Sequence, residues 1–377
     1  MSRKFDLCIL TGIYPPDTGG PAKFAESFLS WAEENGKRIA IISLTEGLDR
    51  KFSQGSSHIE LISRNRSFIA RFFQSALAIR EMMKYRVPIL ANGMFLEVLV
   101  ASKLGLRRFQ YSCKIPGDIV WERARNSGFT RMNIDEFQSE KLSLKYRIFR
   151  KLFSKSLTSA SSIVVPSKHL AGLAQRWGVS PKRIHLIPNS IDIDKFAKVL
   201  PVNKRFDVIT VCRLVPWKGV DQVIAACSRL NLSLVVVGDG PERDNLESLS
   251  RKLAAKVTFL GEVSQNQLPS ILQQASAFVL NSSFEATSYA LIEARAAGLF
   301  AIANADTGSE EVINHERDGL LCGRDGYSID SALRRFKEDS KFTKEAVDLA
   351  RKDCEVRFNR IRNFSLILDL VADRTSL

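Results

Sequence analysis

Short apolar, β-branched runs alternate with amphipathic stretches along nearly the whole chain. Phe5 to Thr11 reads FDLCILT and passes through a Gly/Pro loop into the helix-patterned PAKFAESFLSWAEENG; RIAIISL and VPILAN repeat the strand pattern. That alternation predicts parallel α/β layering. It continues through SSIVVPSKHLAGLAQRWGVSPKRIHLIPNSID and is broken by the polar DKFAKVLPVNKRF, which places a linker near residues 194–204. A second series starts at FDVITVC and runs through LSLVVVG, KVTFLG, SAFVLN and LFAIAN. Two doubly wound domains are therefore expected, 1–195 and 205–360, with ligand at the carboxyl ends of the strands in a cleft between them. Residues 361–377 are expected to form a helix that packs back on the first domain.

Composition narrows the class. With 45% hydrophobic and 25% charged residues the chain reads as an ordinary globular protein, and no run of about 18 apolar residues marks a membrane span. The opening MSRKFDLCILTGIYPPD has too short an apolar run for a cleaved signal peptide. Six scattered cysteines, without a C-x-x-C pair or a neighbouring histidine, read as buried thiols in a reducing compartment and give no zinc site. A formal charge of +14 is the outlier, and it implies an anionic partner: nucleic acid, an acidic membrane or phosphorylated ligands.

The loops after the strands carry the candidate chemistry. VCRLVPWKGVDQVIAAC puts Arg213 and Lys218 in a loop that leads into a helix, where two cations and helix amides suit a diphosphate. The same residues also read as ordinary surface charge. VVVGDGPERDNLESL sets Gly240 in a turn ahead of Pro241; glycine there serves either close ligand approach or the turn itself. In TGIYPPDTGGPAKFAESF, Gly19 and Gly20 open a helix directly after the first strand, in neither a dinucleotide nor a P-loop pattern. In NSSFEATSYALIEARAAG, Thr287 or Ser288 is the expected helix cap, so Glu293 lies about a turn and a half inside. Its neighbours along the helix are Tyr289, Ala290, Ala296 and Ala297, none of them basic. A carboxylate on such a stripe needs a donor from elsewhere, either a distant arginine or the hydroxyls of a ligand.

Taken in order, TGIYPPDTGG, VVPSKHL, IPNSIDIDKF, CRLVPWKGVD, VVVGDGPERDNLESL, FLGEVSQNQLPSIL and SSFEATSYALIEARAAG followed by DTGSEEVI and DGLLC strongly resemble the retaining glycosyltransferases of family 4. Those enzymes use nucleotide sugars and have the GT-B fold, two Rossmann-like doubly wound domains facing a central cleft. Glu285 and Glu293 match the family's pair of glutamates. The resemblance implies that Glu293 binds the ribose hydroxyls and Glu285 the donor sugar, with Ala286, Thr287, Ser288 and Tyr289 holding sugar or β-phosphate. It implies that Arg213 and Lys218 clamp the diphosphate, that Gly19 and Gly20 approach the phosphates, and that Gly240 and Val263 border the nucleotide. UDP or GDP is the expected carrier and no metal is required. Front-face attack, with the leaving phosphate taking the acceptor proton, follows from the family's retention of configuration.

The sequence departs from the family in three places. YSCKIPGDIVWERARNSGF holds no histidine where many members have one, and Asp118 is the candidate for its position at the transferred sugar. Ala286 follows Glu285 where glycine is commoner, and Cys212 replaces a usual glycine. The D-x-D at Asp192 to Asp194 belongs to the IPNSIDIDKF segment and reads as structural.

The positive charge concentrates in two stretches. KLSLKYRIFRKLFSKSL carries Lys141, Lys145, Arg147, Arg150, Lys151 and Lys155 without an acid, among Leu142, Ile148, Phe149 and Leu152 at roughly helical spacing. RNRSFIARFFQSALAIREMMKYR has the same character. Basic amphipathic helices suit an anionic membrane surface; the same stripes also serve to pack on a sheet. Arg123, Arg125 and Arg131 follow Asp118 and suit an acceptor diphosphate. The resemblance thus points to a lipid-linked glycan or glycolipid acceptor and a peripheral enzyme at the cytoplasmic face of a membrane. The rivals are a soluble transferase acting on a small molecule or storage glucan and a nucleic-acid-binding protein; for the second, no recognition motif accompanies the charge.

Overall fold

The computed structural model describes residues 4–17, 19–104, 109–197, 203–323 and 327–373. It divides into two units, one taking the chain up to Pro188 together with the residues from Arg360 onward, the other Asn189–Asn359.

The first unit contains β1 (Leu7–Thr11), α1 (Gly20–Glu34), β2 (Ile39–Thr45), β3 (Arg50–Gln54), β4 (Ser57–Ser63), α2 (Phe68–Lys84), β5 (Ile89–Asn92), α3 (Phe95–Leu104) and β6 (Ser112–Lys114). Then follow α4 (Ile119–Asn126), α5 (Ile134–Phe137), α6 (Leu144–Ser159), β7 (Ile163–Val165), α7 (Lys168–Arg176) and β8 (Ile184–Leu186). The strand order is β3-β4-β2-β1-β5-β6-β7-β8, parallel throughout except for β3, which runs antiparallel to β4. Leu7, Ile9, Ile39 and Ile41 bury completely against α1, whose Phe24, Phe28 and Trp31 fall on one helical face.

The second unit contains α8 (Ile193–Ala197), β9 (Phe206–Val211), α9 (Val220–Arg229), β10 (Leu234–Val237), α10 (Arg243–Lys252), β11 (Val257–Gly261), α11 (Leu268–Gln273) and β12 (Ala275–Leu280). It closes with α12 (Tyr289–Ala296), β13 (Phe300–Asn304), β14 (Leu320–Cys322), α13 (Ile329–Glu338) and α14 (Ser340–Arg357). Its parallel sheet runs β11-β10-β9-β12-β13-β14. The strands alternate between two cores: Phe278 and Leu280 of β12 join one, while Ala277 and Val279 join the other. Where both faces are buried, as in β10 and β13, the strands read as nearly continuous apolar runs, whereas edge strand β11 alternates exposed and part-buried residues.

The chain then returns to the first unit as α15 (Arg360–Asp373). Phe364 lies 4.9 Å from the Phe28 ring, 5.7 Å from Phe24 and 5.8 Å from Trp31, an aromatic cluster that fixes α15 on α1. Residues 374–377 lie outside the described residues.

The boundary at 195 is displaced. Residues from Asn189 onward belong to the second unit because Ile191 and Phe196 bury in its core and Gln273 Nε2 donates to the Phe196 carbonyl at 3.2 Å. α8 occupies the start of the expected linker, and residues 198–202 of it lie outside the described residues. All six cysteines are free, five buried and Cys212 partly so. Among the described residues no helix is long and apolar enough to cross a membrane.

Candidate active site

In the second sheet the strand order reverses between β9 and β12, so the loops leaving these two strands diverge at the carboxyl edge. The loop after β9 ends in a 3-10 turn, Pro216–Lys218, and Gly219 with φ of 57°, the left-handed region that favours glycine. A Cβ there would also meet Asn281 Nδ2 at 2.4 Å. Asn281 holds the two loops together, donating at 3.0 Å to the Gly219 carbonyl and to Gln222 Oε1. Ser283 N adds a bond to the Trp217 carbonyl at 2.9 Å.

This stitching brings Lys218 onto Glu285 as a direct ion pair with both side chains mostly buried. Arg213 stands exposed at the same strand end. Beside it, burial pushes the Cys212 thiol up to about 11, so it is not a thiolate at neutral pH.

Neighbouring loops brace the pair. Leu214 N donates to the Asp239 carbonyl at 2.9 Å, and a Cβ on Gly240 would meet the Leu214 carbonyl oxygen at 2.3 Å. Gly240 is therefore required by packing of one loop on the next. Gly238 N bonds the Gly261 carbonyl at 2.7 Å, and Val263 follows at the end of β11, packed against the core. After β13, Gly308 N donates to the Glu285 carbonyl at 2.7 Å, and a Cβ on Gly308 would meet the Ala286 oxygen at 2.0 Å. Asn189 Nδ2 donates to the Thr287 carbonyl at 3.0 Å. Ala286 and Thr287 are thus held from two sides.

Ser288 is the cap of α12, its hydroxyl accepting from Leu291 N at 3.4 Å. Glu293 lies four residues beyond Tyr289 and is 1% exposed. Burial, and after it the Glu293 carboxylate, raises the Tyr289 phenol above its ordinary range. Arg295, fully buried two residues on, is committed to Asp318 at 3.2 Å and Asp353 at 3.3 Å and also donates to the Val312 carbonyl. Sequence reading did not single out Asn281, Gly308 or Arg295. The signals available were a polar residue ending an apolar strand and a cation inside an alanine-rich helix.

In the first unit the order reverses between β1 and β5. Gly19 caps α1 with φ of 146°, a Cβ there would meet Ile13 Cδ1 at 2.7 Å, and Gly20 is the first helical residue. Asp118 precedes α4 in the same unit. It is fully buried as the N-cap of α4: Oδ1 accepts from Val120 N at 2.9 Å and Trp121 N at 3.1 Å, while Oδ2 accepts from Gln138 Nε2 at 3.1 Å and Arg150 Nη2 at 2.8 Å. Both oxygens are spent inside the unit, so the residue supports the fold. Arg150 is its ion-pair partner. Rather than facing outward it turns in to Asp118, over the rings of Phe137 at 5.6 Å and Trp177 at 5.4 Å. Arg125 donates to the Arg131 and Met132 carbonyls, closing that loop, and Arg123 lies 4.5 Å over the Phe149 ring. Lys145, Arg147 and Lys151 are exposed on α6.

Among the described residues no group of three His, Cys, Asp or Glu side chains is placed to hold a metal ion. Asp192 Oδ1 instead accepts from Lys195 N at 3.2 Å, capping α8.

Residues 192–353 match the family model for glycosyl transferases group 1, and residues 118–195 that for glycosyltransferase family 4. The chain is 35% identical over 147 residues to a phosphatidylinositol N-acetylglucosaminyltransferase component of Arabidopsis thaliana, covering 37% of this chain and 33% of that protein. It is 29% identical over 221 residues to the UDP-Gal:alpha-D-GlcNAc-diphosphoundecaprenol alpha-1,3-galactosyltransferase of Escherichia coli, covering 52% and 55%. The matches thus span about a third to just over half of these relatives. Among solved structures, sucrose-phosphate synthase from Thermosynechococcus elongatus superposes with a TM-score of 0.80 at 17% identity, covering 98% of this chain and 99% of that one.

Two parallel sheets of this kind, with that structural likeness, define a GT-B fold. The two models together span residues 118–353 and support a glycosyltransferase of group 1 and family 4.

Proposed function

We propose that the protein transfers a sugar, with retention of configuration and without a required metal, from a UDP- or GDP-sugar to a lipid-linked glycan or glycolipid. The observation that carries the reading is the Lys218–Glu285 pair at the switch point of the second sheet, with Arg213 exposed at the end of the strand that leads to Lys218 and Glu293 buried in the helix that follows.

The bond from the anomeric carbon to the β-phosphate oxygen breaks, and its electron pair leaves with the nucleoside diphosphate. Lys218, Arg213 and the positive end of α12 offset the charge that develops there. Glu285 accepts from a hydroxyl of the transferred sugar and Glu293 from the ribose. The acceptor hydroxyl bonds to the anomeric carbon from the face the phosphate leaves, and its proton passes to a departing phosphate oxygen. No protein nucleophile is needed.

The lipid-linked acceptor rests on the relatives and on two helix faces. α2 exposes Ile69, Phe73 and Leu77, and α6 exposes Leu144, Ile148 and Leu152, each at four-residue spacing. Arg66, Arg80 and Lys84 attend the first stripe, and Lys145, Arg147, Lys151 and Lys155 the second. α3 packs against both helices. Apolar stripes in a basic rim fit the inner, anionic face of a membrane. The reading is tested by incubating the protein with UDP- and GDP-sugars and a prenyl-diphosphate-linked N-acetylglucosamine. Nucleoside diphosphate release coupled to an extended prenyl product supports it; release only with a free sugar acceptor favours the soluble transferase.

A further inference from the structure

Three polar residues end three neighbouring strands of the first sheet. Leu10 pairs with Ala91 and Ala91 with Cys113, so the next residues, Thr11, Asn92 and Lys114, stand in one row across β1, β5 and β6. The row lies at the switch point of the sheet, where ligands of α/β folds gather. In-register residues share a face. That face is covered by the first turns of α1: Asn92 Nδ2 donates to the Pro21 carbonyl at 3.2 Å, and Lys114 Nζ lies 4.7 Å over the Phe24 ring.

All three residues are buried, Thr11 and Asn92 completely and Lys114 to 2% exposure. The Thr11 hydroxyl is satisfied by the Ile13 carbonyl at 3.0 Å. Asn92 is different. Its bond to Pro21 fixes the orientation of the amide, and Oδ1 on the other side accepts no hydrogen bond within the protein. A buried acceptor in that state is rare and destabilising. Lys114 adds to it, because burial lowers its amine to about 7, so a bound anion would draw it into the charged form. Gly19 and Gly20 bring the amide end of α1 to the same place.

We propose that Asn92 and Lys114 form the floor of a subsite for a sugar diphosphate beneath the Gly19–Gly20 turn. The Lys114 ammonium pairs with a phosphate oxygen, and Asn92 Oδ1 accepts from a hydroxyl of the attached sugar. The four-carbon stem of the lysine lets its charge move from the Phe24 ring to the ligand. This deepens the transferase reading and rests on it, since donor and lipid-linked acceptor both carry a sugar diphosphate.

Calorimetric titration of the full chain with UDP- and GDP-sugars, and with N-acetylglucosamine diphosphate on a short prenyl chain, separates the sources. Lys114→Met weakens one probe roughly tenfold or more, as expected for loss of a charged hydrogen bond, and Lys114→Arg restores most of it. Loss on the nucleotide sugar assigns the subsite to the donor, and loss on the prenyl probe assigns it to the acceptor. Asn92→Ser, which leaves the lysine in place, weakens the sugar conjugate about threefold or more but not the matching free diphosphate. Arg213→Ala is the control for the second unit. If wild type binds the probes and Arg213→Ala weakens them, while folded Lys114→Met and Asn92→Ser bind within twofold of wild type, the subsite is refuted and the transferase reading stands. If no probe binds wild type, both fall.

Discussion

Lys218 and Glu285, 67 residues apart in the chain, meet as a mostly buried ion pair where the strand order of the second sheet reverses. Each is delivered by a different strand-end loop, and the loops are joined through Asn281. In the proposed reaction the pair is a shared resource: the ammonium turns to the diphosphate and the carboxylate to the sugar. Lys218→Met is expected to lower the turnover of nucleotide sugar by about a hundredfold or more, the scale for removing one preorganised donor from a developing charge. Glu285→Gln is expected to lower turnover while sparing affinity for the free nucleoside diphosphate. Equal loss of both in the Glu285 variant would mean that the carboxylate serves only to hold the lysine.

Asp118 makes a contrasting case. Removing a buried carboxylate that pairs with Arg150 and caps α4 leaves a charge and two amides without their acceptor, so Asp118→Ala is expected to cost about 3–5 kcal/mol of stability. Denaturant unfolding measures it. Affinity for the nucleotide should be unchanged where the variant is folded, and a stable variant with lost activity would return Asp118 to the reaction.

How far the sequence reaches can be judged from these residues. The inner strands of the second sheet were legible because both faces are buried and the run is almost wholly apolar, as at Leu234–Val237. The Ser288 cap and the alanine stripe around Glu293 were legible because both are local. β3 was not, since all five of its residues are exposed and carry no apolar period. The pairing of Asp118 with Arg150 was not legible because the carboxylate and its cation lie 32 residues apart and only the fold turns Arg150 inward. Lys114 passed unseen at the end of a three-residue strand.

The pH dependence of Lys114 follows from its environment. The folded amine titrates at about 7, below the ordinary 10.5 of an exposed lysine, so between these values the unfolded chain holds a proton that the folded one does not. Stability from this group is therefore present at high pH, falls as pH drops from about 10.5 toward 7, and levels off below. Melting temperatures of wild type and Lys114→Met across pH 6–10 test it. The advantage of the methionine variant should be greatest at pH 6 and shrink as pH rises; a constant difference would contradict the burial argument.

Membrane docking is expected to need both exposed stripes. Phe73→Ser on α2 and Ile148→Ser on α6 should each reduce co-sedimentation with vesicles containing phosphatidylglycerol several-fold, with little effect on stability because both side chains are exposed. Salt should weaken the wild-type association. Equal recovery with neutral and anionic vesicles, or no effect of either substitution, would remove the membrane from the account.

The central claim is that Glu293 holds the nucleotide of a sugar donor. The direct measurement is a thermal shift of wild type and Glu293→Ala against UDP, GDP, ADP and their sugar conjugates, since a ligand bound only to the folded state must raise the melting temperature. The account predicts that one nucleotide base raises it in wild type and fails to do so in the folded variant. An equal shift in both proteins, or none from any nucleotide at millimolar concentration, would contradict it.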